Sequence, residues 1–190
     1  MGRRLSKATE YMDHLEHYVE VVGRTVSWLA LVMVSVQFFV VVMRYAFDLG
    51  WISVQESVTY MHAVVFMLAM AYTLRFDGHV RVDIFYRKMG RRQRAFVDLL
   101  GTLLLLFPVC VFIIVSGWDY VAESWRQMEG SREAGGIPAV WVLKSLIIAM
   151  PVLLLVEGVV WVGRSLICLI SSAACEDMDA SAQGKKDGGI

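Results

Sequence analysis

Four long apolar runs, separated by short polar connections, set the pattern of this chain. They are Thr25–Met43, Ser57–Leu74, Leu99–Trp118, and a longer run from Pro138 to about Ile170 that holds Lys144, Glu157 and Arg164. Each comes close to the ~20 residues that cross ~30 Å of hydrocarbon. A spanning segment must satisfy its own backbone in lipid, and continuous helices do so. The pattern therefore predicts an all-α integral membrane protein with four transmembrane helices, over about residues 25–46, 55–75, 96–118 and 138–164. The fourth run is longer than needed and is expected to tilt or to extend past the bilayer. Pro108 lies in the middle of the third run, where a kink is the expected consequence.

The flanking segments are patterned as well. Leu5, Ala8, Met12, Leu15, Val19 and Val22 recur at alternating spacings of three and four, which predicts an N-terminal amphipathic lead-in helix. Its other face carries Glu10, Asp13, Glu16 and Glu20, so anionic headgroups suit it poorly. Those acids also separate Arg3 and Arg4 from the first apolar run, which argues against a signal peptide. Val121, Trp125 and Met128 predict that the third span continues as an amphipathic helix beyond the membrane. Gly130 to Gly136 reads as a flexible turn, and Pro138 suits the first turn of the fourth span. Between spans two and three, Asp83 can cap a short interfacial helix that runs through Met89 and ends at Gly90. Asp98 is expected in the first turn of the third span. Residues 1–175 read as one membrane domain, and residues 176–190 as a disordered polar tail.

Basic residues orient the bundle. The connection from Arg75 to Arg94 holds seven Lys and Arg, and the N-terminal segment holds four, at Arg3, Arg4, Lys7 and Arg24. The opposite connections hold only Arg44, Arg126 and Arg132, with Lys144 two turns into span four. The positive-inside rule then places both termini and the central connection on the cytoplasmic side of the membrane. Trp51, Trp118, Trp125 and Trp141 would form an aromatic belt at the outer interface. Arg87, Lys88, Arg91, Arg92 and Arg94 would meet phospholipid headgroups.

Composition narrows the function classes. The chain is 57% hydrophobic, above the ~45–50% of a soluble domain. The formal net charge is zero, so no nucleic-acid partner is indicated. Cys110, Cys168 and Cys175 are scattered without metal-ligand spacing. No phosphate-binding loop, nucleophile elbow or zinc motif appears, and the reading is of a protein that is not an enzyme and needs no cofactor.

Candidate chemistry is sparse within the spans. An ion-coupled transporter places ionisable groups or broken helices near the midplane. Here Arg44, Glu56 and Lys144 fall near the outer interface, and Glu157 near the cytoplasmic edge. Gln37 and His62 are the deeper polar groups, and an interhelical hydrogen bond is the expected role of each. Only His62 lies well inside a span, which speaks against a bis-histidine haem anchor, and the first span lacks the buried carboxylate of a small multidrug pump.

The stretch Asp77-Gly-His-Val-Arg-Val-Asp83 resembles a motif that follows the second span in the small membrane subunit, the Q or DctQ-like subunit, of tripartite ATP-independent periplasmic (TRAP) transporters. Arg44-Tyr-Ala-Phe47 is similar to that family's Arg-Tyr-x-Phe. Trp51 with Gln55-Glu56 resembles its Trp-x-Glu-Glu element, at longer spacing and with one acid fewer. The resemblance spans roughly Arg24 to Arg164. It implies a non-catalytic scaffold subunit of a sodium symport system that imports organic acids. The implied partners are a large membrane (M) subunit, which carries the sodium and substrate sites, and a periplasmic substrate-binding protein. Structural or partner-contact roles then fall to Arg44, Glu56, His62, His79, Arg81, Asp83, Lys144 and Glu157. The alternatives are a self-sufficient small transporter or channel, and the membrane anchor of a redox enzyme.

Overall fold

The structure is a computed structural model that describes residues 2–75 and 89–170. Among the described residues every regular element is helical. Helix α1 is Gly2–Phe47 and α2 is Ile52–Arg75. Helix α3, Arg91–Gly101, passes through a π turn at Thr102–Leu106 into α4, Phe107–Arg126, and α5 is Val140–Ile170. Four stretches are long and apolar enough to cross a membrane: Val19–Phe47, Ile52–Leu74, Arg92–Arg126 and Val140–Ile170. The expected interfacial helix after Asp83 and the tail at 176–190 lie outside the described residues.

The amphipathic lead-in and the first span form one continuous helix of 46 residues. At 1.5 Å per residue that is about 70 Å, more than twice the hydrocarbon thickness. The helix ends where Asp48 adopts a left-handed conformation (φ 53°) and the Leu49 N–H donates to the Met43 carbonyl at 3.0 Å. Aspartate tolerates that region better than most side chains do.

The third span begins earlier than the apolar run suggests. Gly90 is the N-cap of α3, and its N–H donates to Gln93 Oε1 at 3.0 Å. Asp98 is therefore the eighth residue of α3 and not part of its first turn. The distortion expected at Pro108 takes the form of the π turn just before it. Proline lacks an N–H, and its ring would press on the carbonyl four residues back in a regular helix. The wider turn, closed from the Phe107 N–H to the Thr102 carbonyl, relieves that conflict. A second proline, Pro151, sits buried inside α5.

Helix α5 is the centre of the packing. In its most apolar stretch 33% of residues are buried, against 6% in each of the other spans. Helix α1 packs on α2, α2 on α5, and α5 on both α3 and α4. The helices thus follow the spatial order α1, α2, α5, α4, with α1 at an edge. Helix α1 also touches α5, and its Val19 joins Ala71, Cys110 and Leu154 in the buried core. A Cβ at Gly158 would come within 2.6 Å of Phe107 Cε1 and 2.9 Å of Leu106 Cδ2. Glycine there lets α5 meet the start of α4 closely, as small residues do where membrane helices cross.

Candidate functional site at the hairpin end of the bundle

The connections 48–51 and 127–139 lie at one end of the bundle, which we call the hairpin end. Three polar fastenings gather there. The first joins α2 to the connection between α4 and α5. Glu56, in the first turns of α2, accepts from the Ser131 hydroxyl through Oε1, and from the Ile137 N–H at 2.6 Å through Oε2. The segment itself is closed by Ser131 N–H to Ile137 O at 3.1 Å and Gly136 N–H to Glu133 O at 3.0 Å. A Cβ on Gly136 would collide with Ser131 and lie 2.8 Å from Glu56 Oε2, so only glycine admits the carboxylate. The run Gly130 to Gly136, expected as a flexible turn, is thus an ordered clasp around Glu56.

The second fastening joins α4 to α5. Glu129 Oε2 accepts from the Ser124 hydroxyl at 2.7 Å and forms an ion pair with Lys144. The Lys144 ammonium also lies 3.9 Å from the Tyr120 ring centroid, within cation–π range. Its side chain is only 14% exposed, so the charge is enclosed by a carboxylate and an aromatic face. The hydrogen bond from Lys144, then that from Ser124, holds the Glu129 carboxyl below the ordinary carboxylate range.

The third fastening is aromatic. Trp125 Nε1 donates to Ser145 Oγ at 2.8 Å, and Ser145 in turn donates to the Trp141 carbonyl at 2.8 Å. The Trp125 and Trp141 rings meet edge-on at 4.4 Å. Trp51 stacks on Phe39 at 6.4 Å. All four tryptophans expected in the belt, including the exposed Trp118, belong to this end.

The other candidates scatter. Arg44 is exposed beside a cleft of about 190 Å³ shared with Asp48, Gly50, Trp51 and Gln55, and among the described residues it forms no ion pair. His62 and Gln37, expected to bond between helices, face outward without such a bond among the described residues. Glu157 is 1% exposed inside the bundle, 17 residues from the start of α5 and 13 from its end. His79, Arg81 and Asp83 lie outside the described residues. Sequence reasoning missed Ser124, Glu129 and Ser131. A lysine inside an apolar run calls for a nearby acid, and Glu129 across the turn from Lys144 meets that need.

The carboxylates of Glu56 and Glu129 are held as acceptors by fixed donors, which suits mechanical fastening more than proton transfer. Among the described residues no group of three or more His, Cys, Asp or Glu is placed to hold a metal ion. Four helices long and apolar enough to span, with polar groups tied at one end, mark the class as a multi-pass helical membrane protein. The family model for tripartite ATP-independent periplasmic transporters, DctQ component, matches residues 33–167. The match covers more than half of the 190 residues, and the chain belongs to this family of transporter components. No curated protein and no solved structure gives a match.

Proposed function

We propose that this chain is the non-catalytic scaffold subunit of a sodium-coupled TRAP transporter, importing an organic acid delivered by a periplasmic binding protein. The observation that carries the reading is how its charges are spent. Glu56, Glu129 and Lys144 are engaged in holding helices and a connection together. Ionisable groups that bind or move an ion line a cavity or pathway instead. The large membrane subunit supplies that pathway, and this chain stiffens the part of the complex that does not move. The exposed apolar sides of α1, with Trp28, Phe38 and Tyr45 at 70%, 70% and 85% exposure, face lipid or the large subunit.

In this reading the hairpin end is periplasmic, and both termini, the central connection and the 176–190 tail are cytoplasmic, in the inner membrane. His79, Arg81 and Asp83 are structural residues of the central connection, and Glu157 is a structural residue of the interior. Topology reporters fused after Asp48 and Arg132 should then give periplasmic signals, and after Lys88 a cytoplasmic one. The functional test is reconstitution in proteoliposomes. Sodium-driven uptake should require both membrane subunits and a loaded binding protein. Uptake by this chain alone, or full uptake by the large subunit without it, overturns the scaffold role.

A further inference from the structure

The α1–α2 pair has two side faces of opposite character. One is a groove lined by Leu31, Val32, Ser35, Val36, Phe39 and Val54. Its single hydroxyl is already satisfied, because Ser35 donates to its own Leu31 carbonyl at 3.0 Å. That face offers lipid nothing but apolar surface. The opposite groove, of about 410 Å³, is lined by Met33, Val34, Gln37, Val58, Thr59 and His62. Among the described residues the side chains of Gln37, Thr59 and His62 make no hydrogen bond, although the hydroxyls of Thr25, Ser27, Ser35 and Thr73 all bond back to their own helix. All three are exposed, and Gln55, Thr59, His62 and Phe66 continue along α2 as one exposed stripe.

Depth makes this asymmetry costly. Gln37 lies ten residues before Phe47, and His62 ten residues after Ile52. At 1.5 Å per residue each sits about 15 Å in, near the middle of a ~30 Å core. A polar side chain facing hydrocarbon at that depth loses its water without gaining a partner. Three such groups converge on one side of the pair, and the other side has none. A glutamine amide both donates and accepts, as does a hydroxyl, so the complementary surface is a polar, uncharged one.

We propose that the Gln37–Thr59–His62 face is where this chain docks on a transmembrane helix of the large subunit, one that carries hydrogen-bonding, uncharged side chains at mid-membrane depth. This rests on the tripartite reading and adds the face to it. The Leu31–Phe39 face is left to lipid. Membrane helices gain little hydrophobic drive toward one another, so interhelical hydrogen bonds and close packing set such contacts.

The test uses the full chain co-expressed with its large subunit. A photoreactive phenylalanine analogue is placed at Val34 or Phe66 on the polar side, and at Val32 or Phe39 on the other. Cross-links to the large subunit from Val34 and Phe66, and their absence from Val32 and Phe39, are expected. The double variant Q37L/H62L should lower the recovered complex about tenfold, at roughly threefold per hydrogen bond, whereas S35L leaves it unchanged. Cross-links from Val32 and Phe39 alone, or from none of the four sites while the large subunit still co-purifies, overturn the docking face. A cross-link from Val34 to a second copy of this chain overturns the choice of partner. If no large subunit co-purifies with the unaltered chain, the transporter reading itself fails, and the proposal with it.

Discussion

The pair α4–α5 and the pair α1–α2 are both antiparallel helices joined at the hairpin end, yet they are held differently. The first is fastened from within: Glu129 to Ser124 and Lys144, Trp125 to Ser145, and ring on ring at Trp125 and Trp141. Among the described residues the second shows at its tip an exposed stack of Phe39 on Trp51 and no ion pair at Arg44. Helix α5 is the buried axis of the molecule, whereas α1 runs along its edge with large apolar side chains outward. Beyond the packing of α2 on α5, Glu56 ties the α2 side to the fastened pair by hydrogen bonds, through the clasp at residues 131–137. One half of the chain is thus tied by polar contacts within itself, and the other leaves Gln37, Thr59 and His62 exposed without hydrogen bonds among the described residues.

The sharpest break in this contrast comes at the α4–α5 contact. Gly158→Leu would drive a side chain into Leu106 and Phe107, and overpacking of this kind costs about 1–3 kcal/mol. Thermal unfolding of the purified chain should show the largest loss of the set. Glu56→Ala should come next. It leaves the Ser131 hydroxyl and Ile137 N–H without their acceptor, so the clasp opens while the spans persist. Cleavage by trypsin after Arg132 should accelerate roughly tenfold, as expected for local opening; Glu56→Gln, which keeps an acceptor, should show a smaller change.

A gentler probe is acid. The Glu129 carboxyl titrates below its ordinary value of 4.5 because Lys144 and Ser124 favour the charged form. Its contribution to stability is thus fully present above that ordinary value and is lost as pH falls through the depressed one. Fluorescence of Trp125 and Trp141 should report loosening of the α4–α5 tip in that acid window, and Lys144→Met, which leaves the Ser124 hydrogen bond, should weaken the dependence. The smallest effect is expected at Arg44. Arg44→Ala removes no partner among the described residues and should change the stability of the isolated chain by less than about 0.5 kcal/mol. Any loss of uptake in the assembled transporter would then assign Arg44 to a contact outside the described residues.

The spans were legible because hydrophobic runs of membrane length leave the backbone few choices. The helical extension of α4 to Arg126 followed from the spacing of Val121 and Trp125, and the irregularity near Pro108 from the chemistry of proline. What stayed hidden was long-range. Glu56 meets Ser131 across 75 positions and Ile137 across 81, and no local period encodes such a pairing. Glycines at 135 and 136 read as flexibility, whereas at Gly136 the missing side chain makes room for a carboxylate. Asp98 misled for a local reason: the helix starts at the capped Gly90, within the basic connection, and not where the apolar run begins. Gln37 and His62 were recognisable as unusual, but which side of the helix pair they occupy is settled only by packing.

On the proposed scaffold role, this chain is the static part of a moving machine. Spin labels at Phe38→Cys on α1 and Phe112→Cys on α4, both exposed positions, measure the distance across its four helices. With Cys110, Cys168 and Cys175 changed to Ala, the pair can be followed in the complete transporter, in sodium-free buffer and then with sodium and loaded binding protein. The account predicts the same distance distribution in both states while uptake proceeds. A distribution that shifts with sodium and substrate would contradict it and make this chain part of the moving element.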